Sequence, residues 1–215
     1  ETIIPLEPSQ DHKRAYEQDK GPNTGGMGAY SPVPFITESI MHEIIETILV
    51  PTVHALNRAQ RRYQGVLYAG LILTPSGPKI LEYNVRFGDP ETQPLMMRLK
   101  TDLIPLLLAV TENKLNEITT IEWHPETTVC VIMTSSGYPG HYQKGFIING
   151  LNKLQGQKDI HIFHAATNIK DGQVVTAGGR VLGVTALGQD IKQAQSRCYQ
   201  AVNQISFKDS FFSRN

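Results

Sequence analysis

Polar and apolar positions alternate in blocks that predict a mixed α and β chain. Residues 38–60 carry Ile40, Ile44, Ile45, Ile48, Val53 and Leu56 at mostly helical spacing. Thr37 suits the N-cap, Glu38 suits the first turn, and Pro51 is expected to kink or split the helix. Residues 66–74 and 79–85 read as two strands joined by a Pro75-Ser76-Gly77-Pro78 turn. Helices are predicted at 92–100 and 102–113, the second capped by Asp102 with Pro105 in its tolerated first turn. After Trp123-His124-Pro125 the texture becomes that of short strands, at 128–135, 160–165, 174–176 and 180–186, separated by glycine turns. A last helix over 191–205 has Ile191, Ala194, Cys198, Ala201 and Ile205 along one seam, with Asp190 and Gln193 as a capping box. Ile3-Ile4 reads as the end of a strand, and residues 9–34 as a long polar, glycine-punctuated loop. No internal repeat is visible. The change of texture places a boundary near 122–126, giving an α+β organisation with portions 1–123 and 124–215.

Composition narrows the function. The 215 residues hold 20 Lys+Arg against 20 Asp+Glu, so no basic surplus exists to neutralise nucleic-acid phosphates. The longest aliphatic-rich run, Ile104–Val110, is far too short for a bilayer span, and the start lacks the basic region of a signal peptide. The first residue is Glu, so the chain reads as a fragment or a processed product. Cys130 and Cys198, one in an apolar run and one on a helix seam, read as core thiols in a reducing, cytoplasmic compartment.

Three stretches carry candidate chemistry. In Ile80–Gln93, Glu82 and Asn84 project from one strand face, roughly 6.6 Å apart along the backbone, with Arg86 continuing that face if the strand persists. A carboxylate and an amide oxygen suit a hard cation such as Mg²⁺, and a guanidinium suits a phosphate or acyl-phosphate oxygen. For an isolated Glu-x-Asn a solvated sheet face is the favoured reading, but here the strand runs into Gly88-Asp89-Pro90-Glu91, which adds two carboxylates and weakens it. The second stretch, Asn23-Thr24-Gly25-Gly26-Met27-Gly28, is neither a Walker A loop nor a dinucleotide fingerprint. Consecutive backbone N–H groups of Gly25-Gly26-x-Gly28 can wrap an anion, although taken alone the stretch reads first as an ordinary surface turn. The third is Asp11-His12-Lys13-Arg14, about ten residues before that loop. The remaining histidines show no metal-binding pair, and no Ser-His-Asp order is discernible.

Ser9–Arg14, Gly21–Pro32 and Arg86–Gln93, in this order and spacing, closely resemble the phosphoribosylamine–glycine ligase family of de novo purine synthesis. Gly178–Leu182 and Val184–Gly188 resemble that family's C-terminal domain. The resemblance covers essentially the whole chain and about the second half of the family's usual length. It implies the large half of an ATP-grasp domain, an antiparallel or mixed sheet with flanking helices, followed by a small β-rich C-terminal domain. It also implies ATP-driven ligation of glycine to 5-phosphoribosylamine through a glycyl phosphate. By resemblance Glu82 and Asn84 are ligands of Mg²⁺ or Mn²⁺, and Arg86 assists phosphoryl chemistry. Asp11, Lys13, Asn23, Thr24, Gly25, Gly26, Met27, Asp89 and Glu91 would shape the glycine and amine pocket. The N-terminal domain and the small ATP-grasp subdomain have no counterpart here. The chain alone is therefore expected to be inactive and to expose an apolar face. Neither a nucleic acid nor a membrane is expected as partner; the missing N-terminal half is. Two other readings are another ATP-grasp carboxylate–amine ligase and a non-catalytic binding or assembly module.

Overall fold

A computed structural model describes residues 2–214. They form two compact units, each drawn from separated parts of the chain.

The first unit holds residues 2–8, 33–88 and 99–124. Thr37 caps helix α1 (Glu38–Ile44), its side chain accepting from the Ile40 N–H at 3.3 Å. A π-type stretch, Ile45–Leu49, then leads into α2 (Val50–Arg58). Pro51 thus neither ends nor splits the helical segment. The wider turn just before it removes the i−4 geometry in which a proline ring clashes, which is how a helix absorbs the residue. Strands β5 (Tyr68–Thr74) and β6 (Gly77–Asn84) form an antiparallel hairpin closed at Thr74 and Gly77, with a bulge at Leu81. Helix α4 (Leu103–Thr111) starts at Asp102, whose carboxylate accepts from the Ile104 N–H at 2.9 Å. The expected strand at Ile3-Ile4 is absent: residues 2–9 form no regular element.

Two strands are too few to cover their own apolar side chains. Leu81 is 64% exposed and Ile72 47%, and on α4 Ile104 and Leu108 are 62% and 52% exposed. Self-association that rises with concentration is the expected result for the isolated chain, read by light scattering. A monodisperse monomer at high concentration would count against it.

The second unit holds residues 9–32, 89–98 and 125–214. The segment read as a loop contains four short strands: β1 (Gln10–Asp11), β2 (Arg14–Tyr16), β3 (Lys20–Asn23) and β4 (Gly28–Ser31). Strands of two to four residues are too short for a period-2 pattern to register in sequence. Here β2 and β3 pair with each other, while β1 and β4 join an antiparallel sheet ordered β1-β4-β7-β11-β8. Its other members are β7 (Thr127–Thr134), β11 (Arg180–Gly188) and β8 (Ile160–His164). A separate hairpin pairs β9 (Thr167–Lys170), absent from the sequence expectation, with β10 (Gln173–Thr176).

Strand β7 is buried from Thr128 through Thr134, because both its faces are covered. On one face lies α5 (Ile191–Val202), capped by Asp190, whose carboxylate accepts from the Gln193 N–H at 2.8 Å. Ala194, Cys198, Ala201 and Val202 of α5 join Val129, Val131, Leu182 and Val184 in the main core. On the other face lies α3 (Thr92–Arg98), with the Thr128 hydroxyl donating to Pro94 O at 3.1 Å. Buried Arg98 ties that helix down, donating to Ser31 Oγ at 2.8 Å and Glu126 O at 3.0 Å. Cys130 and Cys198 are free and fully buried, and burial pushes the Cys130 thiol up to about 12. Both are core thiols, as their sequence setting implies. No described helix is long and apolar enough to cross a membrane.

Candidate active site

The expected site residues fall into two groups, one per unit. In the first unit β6 presents Glu82 and Asn84. Tyr83, between them, hydrogen-bonds Thr52 Oγ1 of α2 at 2.5 Å, so strand alternation turns Glu82 and Asn84 away from that helix. Glu82 pairs across the ladder with Gly70 and Asn84 with Tyr68. Gly70 leaves room for the carboxylate arm: a Cβ built there would lie 2.9 Å from Glu82 Cγ. Glu82 is exposed and Asn84 half-buried, which leaves their oxygens open toward solvent. Among the described residues no three His, Cys, Asp or Glu side chains cluster as a metal cage. Two hard oxygen donors with open positions suit a divalent ion that completes its shell with water and substrate phosphates. The strand ends at Asn84, so Arg86 does not continue the polar face. It lies in the bend beyond and donates to Phe87 O at 2.8 Å.

In the second unit the glycine loop departs from its expected use. Its N–H groups are engaged internally: Thr24 N–H donates to Lys13 O (2.8 Å), Gly25 N–H to Tyr138 Oη (3.1 Å), Gly26 N–H to Thr24 Oγ1 (3.0 Å) and Met27 N–H to His12 O (2.8 Å). The Thr24 hydroxyl donates to Lys13 O at 2.8 Å. The loop is therefore a rigid wall rather than an anion cradle, because an N–H can wrap an anion only if it is free to point at one. Met27 is 2% exposed and belongs to the core; Asn23 and Gly25 face solvent.

Behind that wall the charges are acidic. Asp11 accepts from Lys13 Nζ through Oδ2 at 2.7 Å, while its buried Oδ1 has no partner among the described residues. A Cβ on Gly26, whose φ is +118°, would lie 2.7 Å from that Oδ1, so only glycine lets the chain pass over the carboxylate. Burial is the main cause that raises the Asp11 carboxyl to about 6; the nearby Glu91 charge adds to it, and Lys13 and Arg180 oppose it. Glu91 is 6% exposed. Asp89 takes Gln93 Nε2 on Oδ1 and Arg180 Nη2 on Oδ2, both at 2.9 Å. Burial lowers the His12 imidazole.

Arg180, at the start of β11, was not among the expected site residues. Its guanidinium donates to Gly25 O at 2.8 Å and Asp89 O at 2.7 Å, besides the Asp89 carboxylate. Arg180 stands 155 and 91 positions from these partners, so spacing gives no hint of the contact. The only available signal was its place in the Gly-Gly-Arg motif.

The folding pattern is that of the large part of an ATP-grasp domain followed by a small C-terminal domain. Residues 1–92 match the model of the phosphoribosylglycinamide synthetase ATP-grasp (A) domain, and residues 128–215 match that family's C domain. The chain belongs to the phosphoribosylglycinamide synthetase family. It is 52% identical over 211 residues to a phosphoribosylamine–glycine ligase of Rhodopirellula baltica, covering 98% of this chain and 48% of that one. With the Synechocystis enzyme of the same name it shares 48% over 215 residues, covering all of this chain and 51% of the relative. The crystal structure of the Thermotoga maritima phosphoribosylamine–glycine ligase superposes with a TM-score of 0.85 at 32% identity, covering 97% of this chain and 51% of that one. The chain thus spans about half the length of the relatives it matches.

Proposed function

We propose that the polypeptide carrying this chain ligates glycine to 5-phosphoribosylamine with ATP, giving glycinamide ribonucleotide, ADP and phosphate in the cytoplasm, and that residues 1–123 and 124–215 are its two functional portions here. The observation that carries this reading is the ordered match to two domains of one ligase family along a single chain.

In this reading Glu82 and Asn84 hold Mg²⁺ or Mn²⁺, which when bound offsets phosphate charge. Their hard oxygens and the space kept by Gly70 support the assignment. Arg86, exposed beyond the strand, meets phosphoryl oxygens by exchanging its local Phe87 carbonyl bond for a charged one. The acidic wall suits the amine side of the reaction. Asp11 and Glu91 repel phosphates and attract ammonium groups, and Lys13 and Asn23 offer polar contacts at the rim. Thr24, Gly25, Gly26, Met27 and Asp89 act through shape, since their polar groups are engaged in holding the loop and turn. Ligation proceeds by transfer of the ATP γ-phosphoryl to the glycine carboxylate. The neutral amine nitrogen then attacks the acyl carbon, forming the C–N bond as the C–O bond to phosphate breaks, and gives up one proton as the amide forms.

The test is to assay glycine- and phosphoribosylamine-dependent ADP release by this chain alone and after mixing with a separately produced N-terminal remainder. Silence alone and turnover on mixing is expected. Sustained turnover by the chain alone would refute its dependence on the other half. No turnover by the mixture or by the undivided polypeptide would refute the ligase reading.

A further inference from the structure

We propose that Arg180 is a positioning residue that locks the Gly25–Gly26 loop to the Asp89-Pro90-Glu91 turn and so sets the amine side of the site. The inference rests on the ligase reading for the identity of the amine. Three segments from distant parts of the chain meet at this one side chain. Arg180 Nη1 donates to Gly25 O and Asp89 O, and Nη2 donates to the Asp89 carboxylate. The Arg180 side chain is 21% exposed, so these bonds are partly shielded from water. Gly25 has no Cβ, and one built there would lie 3.1 Å from Arg180 Cζ. The guanidinium therefore sits close against Gly25, where a side chain would crowd it. Tyr138 Oη accepts the Gly25 N–H at 3.1 Å, so both peptide groups flanking Gly25 are held.

The arrangement needs a planar fork. A lysine ammonium is a point charge and cannot reach two carbonyls and a carboxylate with the same directions. The consequence is local: loop and turn bracket the buried Asp11 and Glu91 carboxylates, and loosening the loop uncovers Asp11 Oδ1, which Gly26 now covers. Arg180 touches none of the atoms that react in the proposed ligation; it acts through the loop and the turn.

Arg180→Lys is the test, in two arms. Hydrogen–deuterium exchange on this chain should show Gly25 and Gly26 amides exchanging at least tenfold faster, with β7 and β11 amides unchanged. In the full-length polypeptide the same variant should raise KM for glycine or phosphoribosylamine at least tenfold while KM for ATP stays within twofold. In Arg180→Ala, millimolar guanidinium should restore slow exchange at the loop and methylammonium should not. Unchanged loop exchange in Arg180→Lys would overturn the proposal. So would faster exchange throughout β7 and β11 with a lower kcat and unaltered KM values, which is the signature of a merely structural role. A wild-type polypeptide with no ligase turnover overturns the functional reading instead, and the exchange arm still decides whether Arg180 holds the loop.

Discussion

Asp11→Asn is expected to stabilise this chain at pH 7.5 by up to about 3 kcal/mol. The native carboxyl is held near 6 against an ordinary value of 3.8, so the folded state binds the proton more tightly than the unfolded one. A group raised in this way stabilises the fold while it is protonated. Its contribution is complete below about pH 4, falls as pH rises from 4 to 6, and is lost above. Asn copies the protonated form in size and charge, so the two proteins should match near pH 4 and diverge up to pH 6–7, then run parallel. Urea unfolding of both proteins between pH 4.5 and 8 measures this. A difference independent of pH would sink the argument, as would a less stable variant at pH 7.5. A carboxylate with one buried oxygen unpartnered among the described residues costs stability at neutral pH, as groups that serve binding often do.

The second large effect concerns Glu82 and Asn84. In the full-length polypeptide Glu82→Ala/Asn84→Ala should lower kcat/KM by more than about 100-fold, since loss of a first ligand exceeds the 10–100-fold typical of outer contacts. Calorimetry on this chain gives the cleaner reading. Any Mg²⁺-dependent ATP binding should disappear in the double variant, while the unfolding midpoint moves little, because Glu82 is exposed and the hairpin's ladder bonds are backbone bonds. Unaltered Mg²⁺·ATP binding in the double variant would remove these residues from the metal site. If wild-type chain binds no Mg²⁺·ATP, the affinity resides in the part of the polypeptide outside this chain, and the kinetic comparison decides.

Local physics explains what was legible in the sequence. The caps at Thr37, Asp102 and Asp190 each involve neighbours within three residues, so residue type alone predicts them. The Lys79–Val85 strand and the seam of α5 follow from hydrophobic period, and the Glu82/Asn84 face follows from strand alternation. What failed was whatever depends on partners far along the chain. Residues 9–34 look like loop because their strands are short and polar, and only pairing with β7 turns Gly28–Ser31 into sheet. Arg86 would have continued the polar face only if the strand persisted, and composition does not mark that the ladder ends at Asn84.

Adjacent residues were enough to write the elements with a strong period or cap, the buried state of both thiols, the shared face of Glu82 and Asn84 on β6 and the family motifs. Tertiary structure decided the rest. It drew α3 and the first four strands into the second unit, closed the N–H groups of the glycine loop, left one oxygen of Asp11 buried with no partner among the described residues, and brought Arg180 to Gly25 and Asp89. The physical reason is the range of the forces involved. Period and capping act within a turn or two and are written in adjacent residues, whereas desolvation and hydrogen-bond satisfaction depend on which distant segments arrive at the same place.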